Sequence, residues 1–398
     1  MSWLTIRATR LAAFVLAGLA IAAGATAEPI DLRAGSRVQL QFEKAIGYLG
    51  DGNLKQADAV LQEILKEDPT HIYAQLASAQ VALSERRISA AEQSVAAVLA
   101  KEQQLPEAHN MRGVVLLLQK RSDEAAAAFR RALELRPGYV TPRFYLGSIA
   151  RSKGDQAGAV REYKALTVAA PRLPAGYLGQ AEAYMMLRNA PEAFRVLNEW
   201  KAVPGSGVMP YQVIANVYLS QNDPSRAIQE LKSALTKAPD DSATLTYMGD
   251  ALVASKDAKG AMESYRLAIK ADARNAVATN NLAWLLLDRA GDALALNESL
   301  KFAETAVKLE PTYVDALDTL GWVHYRRADY AKAVDALGRA RKLAPNRMDV
   351  AAHLGLAYAK AGQKSQALTE LRAVLGSKTP VANRAELERV AKELGGAQ

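Results

Sequence analysis

Large apolar residues return along this chain at intervals of 34 residues or multiples of 34. Leu61, Phe129, Tyr163, Leu197, Leu231 and Tyr265 keep that spacing, and Leu337 and Leu371 resume it after one slip of four residues. Prolines follow the same arithmetic. Pro69, Pro137, Pro171 and Pro239 are separated by 68, 34 and 68 residues, Pro239 and Pro311 by 72, and Pro311 and Pro345 by 34. Proline lacks a backbone N–H and cannot continue a helix, so each of these marks the close of a helical segment. A single four-residue insertion, placed around Arg289 to Asn297, reconciles the whole chain with one repeat length.

In that register repeats begin at Val38, Ile72, Pro106, Val140, Pro174, Val208, Ser242, Ala276, Val314 and Met348, and the last ends at Val381. The eighth position is alanine or glycine in all ten: Ala45, Ala79, Gly113, Gly147, Ala181, Ala215, Gly249, Ala283, Gly321 and Gly355. The twentieth is alanine in nine (Ala57, Ala91, Ala125, Ala159, Ala193, Ala227, Ala261, Ala333 and Ala367) and Ser299 in the eighth repeat. Small side chains at two fixed places let two helices of each repeat approach closely, and a larger one there would force them apart. Asp223-Pro224 and Gly154-Asp155 supply turn and capping chemistry between those helices. The eighth repeat departs from the pattern in lacking the second-helix alanine, and Trp200 stands where the fifth should carry a small residue. Both departures predict looser packing, and residues 203–208 are the expected bend.

This register resembles the tetratricopeptide-repeat family over 344 of the 398 residues. The resemblance implies an all-α fold, a right-handed α-solenoid of about ten helix pairs. Beyond the last repeat, Asn383 with Glu386 resembles a capping box, and Leu387, Val390 and Leu394 recur on one helical face. Residues 382–398 therefore read as a capping helix and tail closing the open end of the array.

The other end predicts export. Arg7 and Arg10 precede an apolar run from Leu11 to Ala23, and Ala25-Thr26-Ala27 offers a cleavage site before Glu28. The run falls short of the roughly 20 residues that span a bilayer, and no cysteine follows it for lipid attachment. Residues 1–27 are expected to be a signal peptide and 28–37 a linker and the start of the first helix. The mature chain would be periplasmic or otherwise exported, without a transmembrane segment. Cleavage removes two arginines and no acid, which lowers the formal charge from +8 to +6. Export sets nucleic acid aside as the partner of that basic surface.

Nothing in the chain points to catalysis. Absence of cysteine excludes disulfides, thiolate metal sites and thiol nucleophiles. His71, His109, His324 and His353 show no metal-ligand spacing, and no phosphate loop, nucleophile elbow or paired-carboxylate signature occurs. No cofactor and no metal are expected. His324 and His353 come from neighbouring repeats and form the one pair that could approach.

The family resemblance implies that the second, fifth, ninth and twelfth residues of each first helix line a concave groove. The first six repeats then offer an apolar half, including Phe42, Ile46, Leu76, Leu117, Phe144 and Met185. The last four offer Asp250, Asn280, Trp284, Asp315, Asp318, Trp322, Tyr325 and Asp349, an acidic and aromatic half suited to a cationic or sugar-like group. The lysine and asparagine of a two-carboxylate clamp are absent, Phe42 and Ile46 taking their places in the first repeat. Seven arginines between Arg130 and Arg172 make a basic surface that reads as a solvated face or a site for an anionic polymer. The strings Asn280-Asn281-Leu282-Ala283-Trp284 and Leu317-Asp318-Thr319-Leu320-Gly321-Trp322 resemble repeats of bacterial envelope proteins of exopolysaccharide and PEP-CTERM systems. That likeness implies a scaffold for other envelope proteins, with direct binding of polysaccharide as the alternative.

Overall fold

In the computed structural model, which describes residues 37–287 and 293–395, every regular element among the described residues is a helix. The proposed signal segment, the linker before residue 37 and part of the insertion lie outside the described residues. The chain divides at Ser206 and Gly207 into two compact units. The first holds α1 (Arg37–Gly50), α2 (Leu54–Glu67), α3 (Ile72–Ser84), α4 (Ile88–Lys101), α5 (Pro106–Leu118), α6 (Ser122–Leu135), α7 (Val140–Ser152), α8 (Gln156–Ala169), α9 (Pro174–Met186) and α10 (Ala190–Ala202). The second holds α11 (Met209–Ser220), α12 (Pro224–Lys237), α13 (Ser242–Ala254), α14 (Ala258–Ala271), α15 (Ala276–Leu287), α16 (Ala293–Leu309), α17 (Val314–Arg326), α18 (Tyr330–Leu343), α19 (Met348–Lys360), α20 (Lys364–Leu375) and α21 (Arg384–Gly395). Within each unit the helices pack in adjacent pairs.

Short polar side chains start the second helices. Asp155, Asp223 and Asp257 accept hydrogen bonds from the backbone N–H of Gly158, Arg226 and Gly260 at 2.7, 3.1 and 2.9 Å, satisfying donors that have no partner inside the helix. Among the described residues, the turn between the two helices of a repeat carries one left-handed residue in nine repeats. Gly52, Gly154 and Gly362 occupy it at no steric cost, whereas Arg86, Lys120, Arg188, Asn222, Lys256 and Ala328 are held there at φ of 57–67°.

The helix-pair cores rest on paired sizes. A Cβ added to Gly113, Gly147 or Gly249 would lie 2.5, 2.8 or 2.3 Å from the ring of Phe129, Tyr163 or Tyr265. Where the facing residue is Leu61, Leu197 or Leu231, the eighth position is Ala45, Ala181 or Ala215. In these six repeats aromatic meets glycine and leucine meets alanine, so the summed volume stays nearly constant, whereas Gly321 and Gly355 face Leu337 and Leu371 in the last two.

The structure corrects three local expectations. The eighth repeat is not loosely packed: α16 is longer than the other second helices, Ala295 and Ser299 are both buried, and Ser299 Oγ donates to the Ala283 carbonyl at 2.7 Å. Four added residues are about one helical turn, so the apolar face is nearly preserved. Trp200 is fully buried and stacks on Tyr177 at 5.8 Å. The capping box at Asn383 does not form. Asn383 adopts φ 56°, and its backbone carbonyl, not its side chain, accepts from Glu386 and Leu387. Helix α21 is held instead by Leu387, Val390, Ala391 and Leu394 packed against Leu356, Leu371 and Val374.

Candidate functional site

The apolar residues expected in the first unit belong largely to its core. Leu76 is buried, Leu117 and Phe144 pack against the same cluster, and Ile46 joins the cluster around Leu61. Phe42 tilts onto His71 at 5.4 Å, and His71 Nδ1 caps α3 by accepting from the Ala74 N–H. Met185 is half-buried, beside the exposed Met186. The arginine surface is mostly neutralised: Arg131, Arg136, Arg143, Arg151 and Arg161 each lie at ion-pair distance from a carboxylate, leaving Arg130 and Arg172.

The second unit gathers its candidates on the first helices α13, α15, α17 and α19. Trp322 of α17 is the centre of an aromatic shelf. Its ring stacks on Tyr325 at 4.5 Å, with 4° between planes, and on His353 of α19 at 4.3 Å and 22°. The ring of Trp284 on α15 is tilted toward His353 with 6.3 Å between ring centres, and Trp284 is 38% exposed. Stacking of this kind fixes the relative orientation of the rings, and Trp322, Tyr325 and His353 each remain partly exposed. Tyr325 also packs against the cluster that receives α21, and burial, reinforced by Glu386, raises its phenol pKa.

Every aspartate expected to make this face acidic has an internal partner. Asp318 is 7% exposed, and its Oδ1 lies 2.9 Å from His353 Nδ1. An ionised carboxylate only accepts, so Nδ1 carries the proton in that bond. Arg347 donates to Asp349 through Nε at 2.8 Å and Nη2 at 2.5 Å and to Asp315 through Nη1 at 2.9 Å. Burial opposes ionisation of Asp349, but the Arg347 fork outweighs it and lowers the carboxyl pKa. Asp250 accepts from Tyr265 Oη at 2.6 Å and from Asn281 Nδ2 at 3.0 Å; burial raises its pKa despite both bonds. Asn280 is buried, donates to Asn281 Oδ1 at 3.3 Å, and leaves its own Oδ1 unpartnered.

The structure therefore brings Trp284, Asp318, Trp322 and Tyr325 together and ties Asp315 to Asp349, while Asp250 and Asn280 join a separate amide and carboxylate cluster. Two residues that complete the arrangement, His353 and Arg347, were not among the expected groove positions. Asp315 and Asp349 lie one repeat apart, and an arginine just before the second was the available signal for the ion pair. His353 and His324 do not share a site: His324 is buried near Asp329 at 3.8 Å, with burial lowering its pKa. Among the described residues, no three His, Asp or Glu side chains gather as a metal site would require.

The tetratricopeptide-repeat profile matches residues 76–140, 213–276 and 319–389, half of the chain. A TPR repeat-containing protein of Pseudomonas aeruginosa is 29% identical over 214 residues, which cover 53% of this chain and 35% of that relative. The chain thus spans about a third of that relative's length. Yeast Tom70 shares the fold with a TM-score of 0.56 at 16% identity, over 84% of this chain and 66% of that one. A tetratricopeptide-repeat protein of Parabacteroides merdae aligns over 63% of this chain and all of its own at 15% identity, with a TM-score of 0.43. The chain belongs to the tetratricopeptide-repeat family.

Proposed function

We propose that this chain is a non-catalytic scaffold that captures a protein partner on the aromatic shelf of its second unit. Proteins of this family generally mediate protein–protein interaction, and the observation that carries the finer reading is the rigid stack of Tyr325, Trp322 and His353 beside the exposed Trp284. Arg347 offsets one of the three carboxylates Asp315, Asp318 and Asp349, and His353 bonds Asp318, so the shelf presents aromatic area rimmed by carboxylates whose oxygens are already engaged. It suits a partner segment whose aromatic, proline or aliphatic groups meet the rings, with a basic residue accommodated at the rim. Raising the salt should weaken binding only modestly, whereas an acidic groove with unengaged carboxylates meeting a basic partner would weaken steeply. The shelf equally fits the apolar face of a sugar ring, which sustains direct binding of polysaccharide as a second reading.

The setting we favour is the bacterial cell envelope, in support of exopolysaccharide synthesis or secretion. It rests on the N-terminal basic and apolar segment with its small-residue cleavage site, and on the resemblance around Trp284 and Trp322. No helix among the described residues is long and apolar enough to cross a membrane. Photo-crosslinking in living cells from position 284 should give discrete adducts that the Trp322→Ala background loses. Position 232 on α12 serves as the control surface. Adducts that are the same from both positions, or unchanged by Trp322→Ala, reject the shelf as the docking site. Retention on purified polysaccharide, lost in the Trp284→Ala/Trp322→Ala variant, selects the glycan reading.

A further inference from the structure

The first unit contains a cavity of about 360 Å³ between α4 and α5, far from any residue of the aromatic shelf in sequence. Its floor is Val95, Leu99, Val115 and Leu116, and Glu92 and Arg112 stand at its mouth. The hole has a cause in the repeat register. At the corresponding interfaces of the second unit, two apolar side chains meet: Ile228 packs in one cluster with Met248, Met262 with Leu282, and Val334 with Leu354. In the interface of the second and third repeats those places are held by Glu92 and Arg112, both exposed. Ala96, also lining the cavity, stands where other repeats carry long side chains such as Arg130, Lys164 and Lys232. Two charged residues in places that are apolar in the second unit, and one small residue, coincide at one hollow.

We infer that this hollow binds a slender single-chain amphiphile whose carboxylate head meets Arg112. The charge at the mouth selects the head. Glu92 already accepts from Gln119 at 2.7 Å and lies 3.8 Å from Arg121, and Arg121 is committed to Glu124 through Nε at 2.7 Å and Nη2 at 2.5 Å. Arg112 has no carboxylate at ion-pair distance, so its guanidinium fork is free to take one bidentately. The floor selects the tail. The backbone groups of α4 and α5 are engaged within the helices, and the four floor side chains are apolar. A peptide segment would bring amide groups into a surface that offers them no partner, whereas an acyl chain brings none. The volume lies within the range of about 300–1,000 Å³ usual for small-ligand sites.

Isothermal titration of the purified full chain with decanoate, below its aggregation concentration, tests the inference against decylamine and acetyl-tetraleucine amide. Decanoate should bind saturably at one site, and the amine and the peptide should not. Arg112→Leu restores the residue type found at Leu146, Leu282 and Leu354, so the fold should survive with an unchanged or raised melting temperature. It removes both the head's partner and the space, and should weaken decanoate binding by about tenfold or more. Arg112→Lys keeps the charge and should retain most of the binding. Trp284→Ala/Trp322→Ala should bind decanoate as the natural chain does, which separates this site from the shelf. No saturable decanoate binding, equal binding of decylamine or of the peptide, or undiminished binding by Arg112→Leu would each overturn the assignment.

Discussion

Replacing Gly113 by alanine should destabilise the first unit, and replacing Phe129 by leucine should rescue it. The added Cβ would lie 2.5 Å from Phe129 Cε1 and 2.7 Å from both Cδ1 and Cζ, against an ordinary carbon contact of about 3.5–4.0 Å. Phe129 has nowhere to retreat, being fully buried and stacked on Tyr145 at 4.9 Å with 11° between planes. Overpacking of this order costs about 1–3 kcal/mol. Alanine recovers about 0.5–1 kcal/mol over glycine inside a helix, so the net loss should be about 1–2 kcal/mol. Phe129→Leu alone leaves a void and should cost about 1 kcal/mol or more. Together the two substitutions recreate the alanine and leucine pairing already present at Ala45 and Leu61 and at Ala181 and Leu197. The double-mutant cycle should therefore show favourable coupling of about 1 kcal/mol or more. Repeat arrays open locally, so amide hydrogen exchange in α5 and α6 is the appropriate measure, with urea unfolding beside it. Costs that simply add, within about 0.5 kcal/mol, would refute the idea that paired volumes hold these helices together.

Three further perturbations probe other layers. Ala328 sits at φ 61° in the turn between α17 and α18, and Ala328→Gly should raise stability by about 0.5–1 kcal/mol in urea unfolding, the relief of a left-handed alanine. Arg347→Met leaves Asp315 and Asp349 facing one another without their shared cation. The Asp349 carboxyl should titrate higher by NMR, while the partly exposed pairs limit the stability loss to about 1 kcal/mol. His324 is a base whose folded pKa burial lowers, so below about pH 6.5 the unfolded chain binds more protons than the folded one. Stability should fall as pH drops from 7 toward 5. His324→Tyr, placing the residue type of Tyr218 and Tyr358 at the same register position, should flatten that fall; an unaltered pH profile removes His324 as its source.

The fold was legible because its two constraints, a small eighth position and a large facing residue, are written in residue size and recur at one period. A period of that length needs no knowledge of contacts. The insertion was legible as a count but not as a structure: nothing in Ser299 announced that its hydroxyl would return to the Ala283 carbonyl, or that Ala295 one turn earlier would also be buried. Trp200 misled for the opposite reason. A large residue at a small position suggests a defect until a neighbouring ring, here Tyr177, is known to receive it.

The site was half legible, and the divide falls between which residues share a face and what charge that face carries. Trp284 and Trp322 occupy the same position in successive repeats, so register alone places them side by side. Charge is a property of pairs. Asp315, Asp318 and Asp349 count as three negative charges in a sequence, yet Arg347 reaches two of them from the turn ahead of α19 and His353 takes the third from the next repeat. These partners lie outside the positions that periodicity assigns to the groove. The same bookkeeping, applied to Arg112, runs the other way. Its acidic neighbours are engaged elsewhere, and a residue that looked like one more solvated arginine stands over an apolar hollow with its donors open. In a repeat protein the register tells where a ligand can touch; the departures from it, and the partners each charge has already taken, decide what that ligand must be.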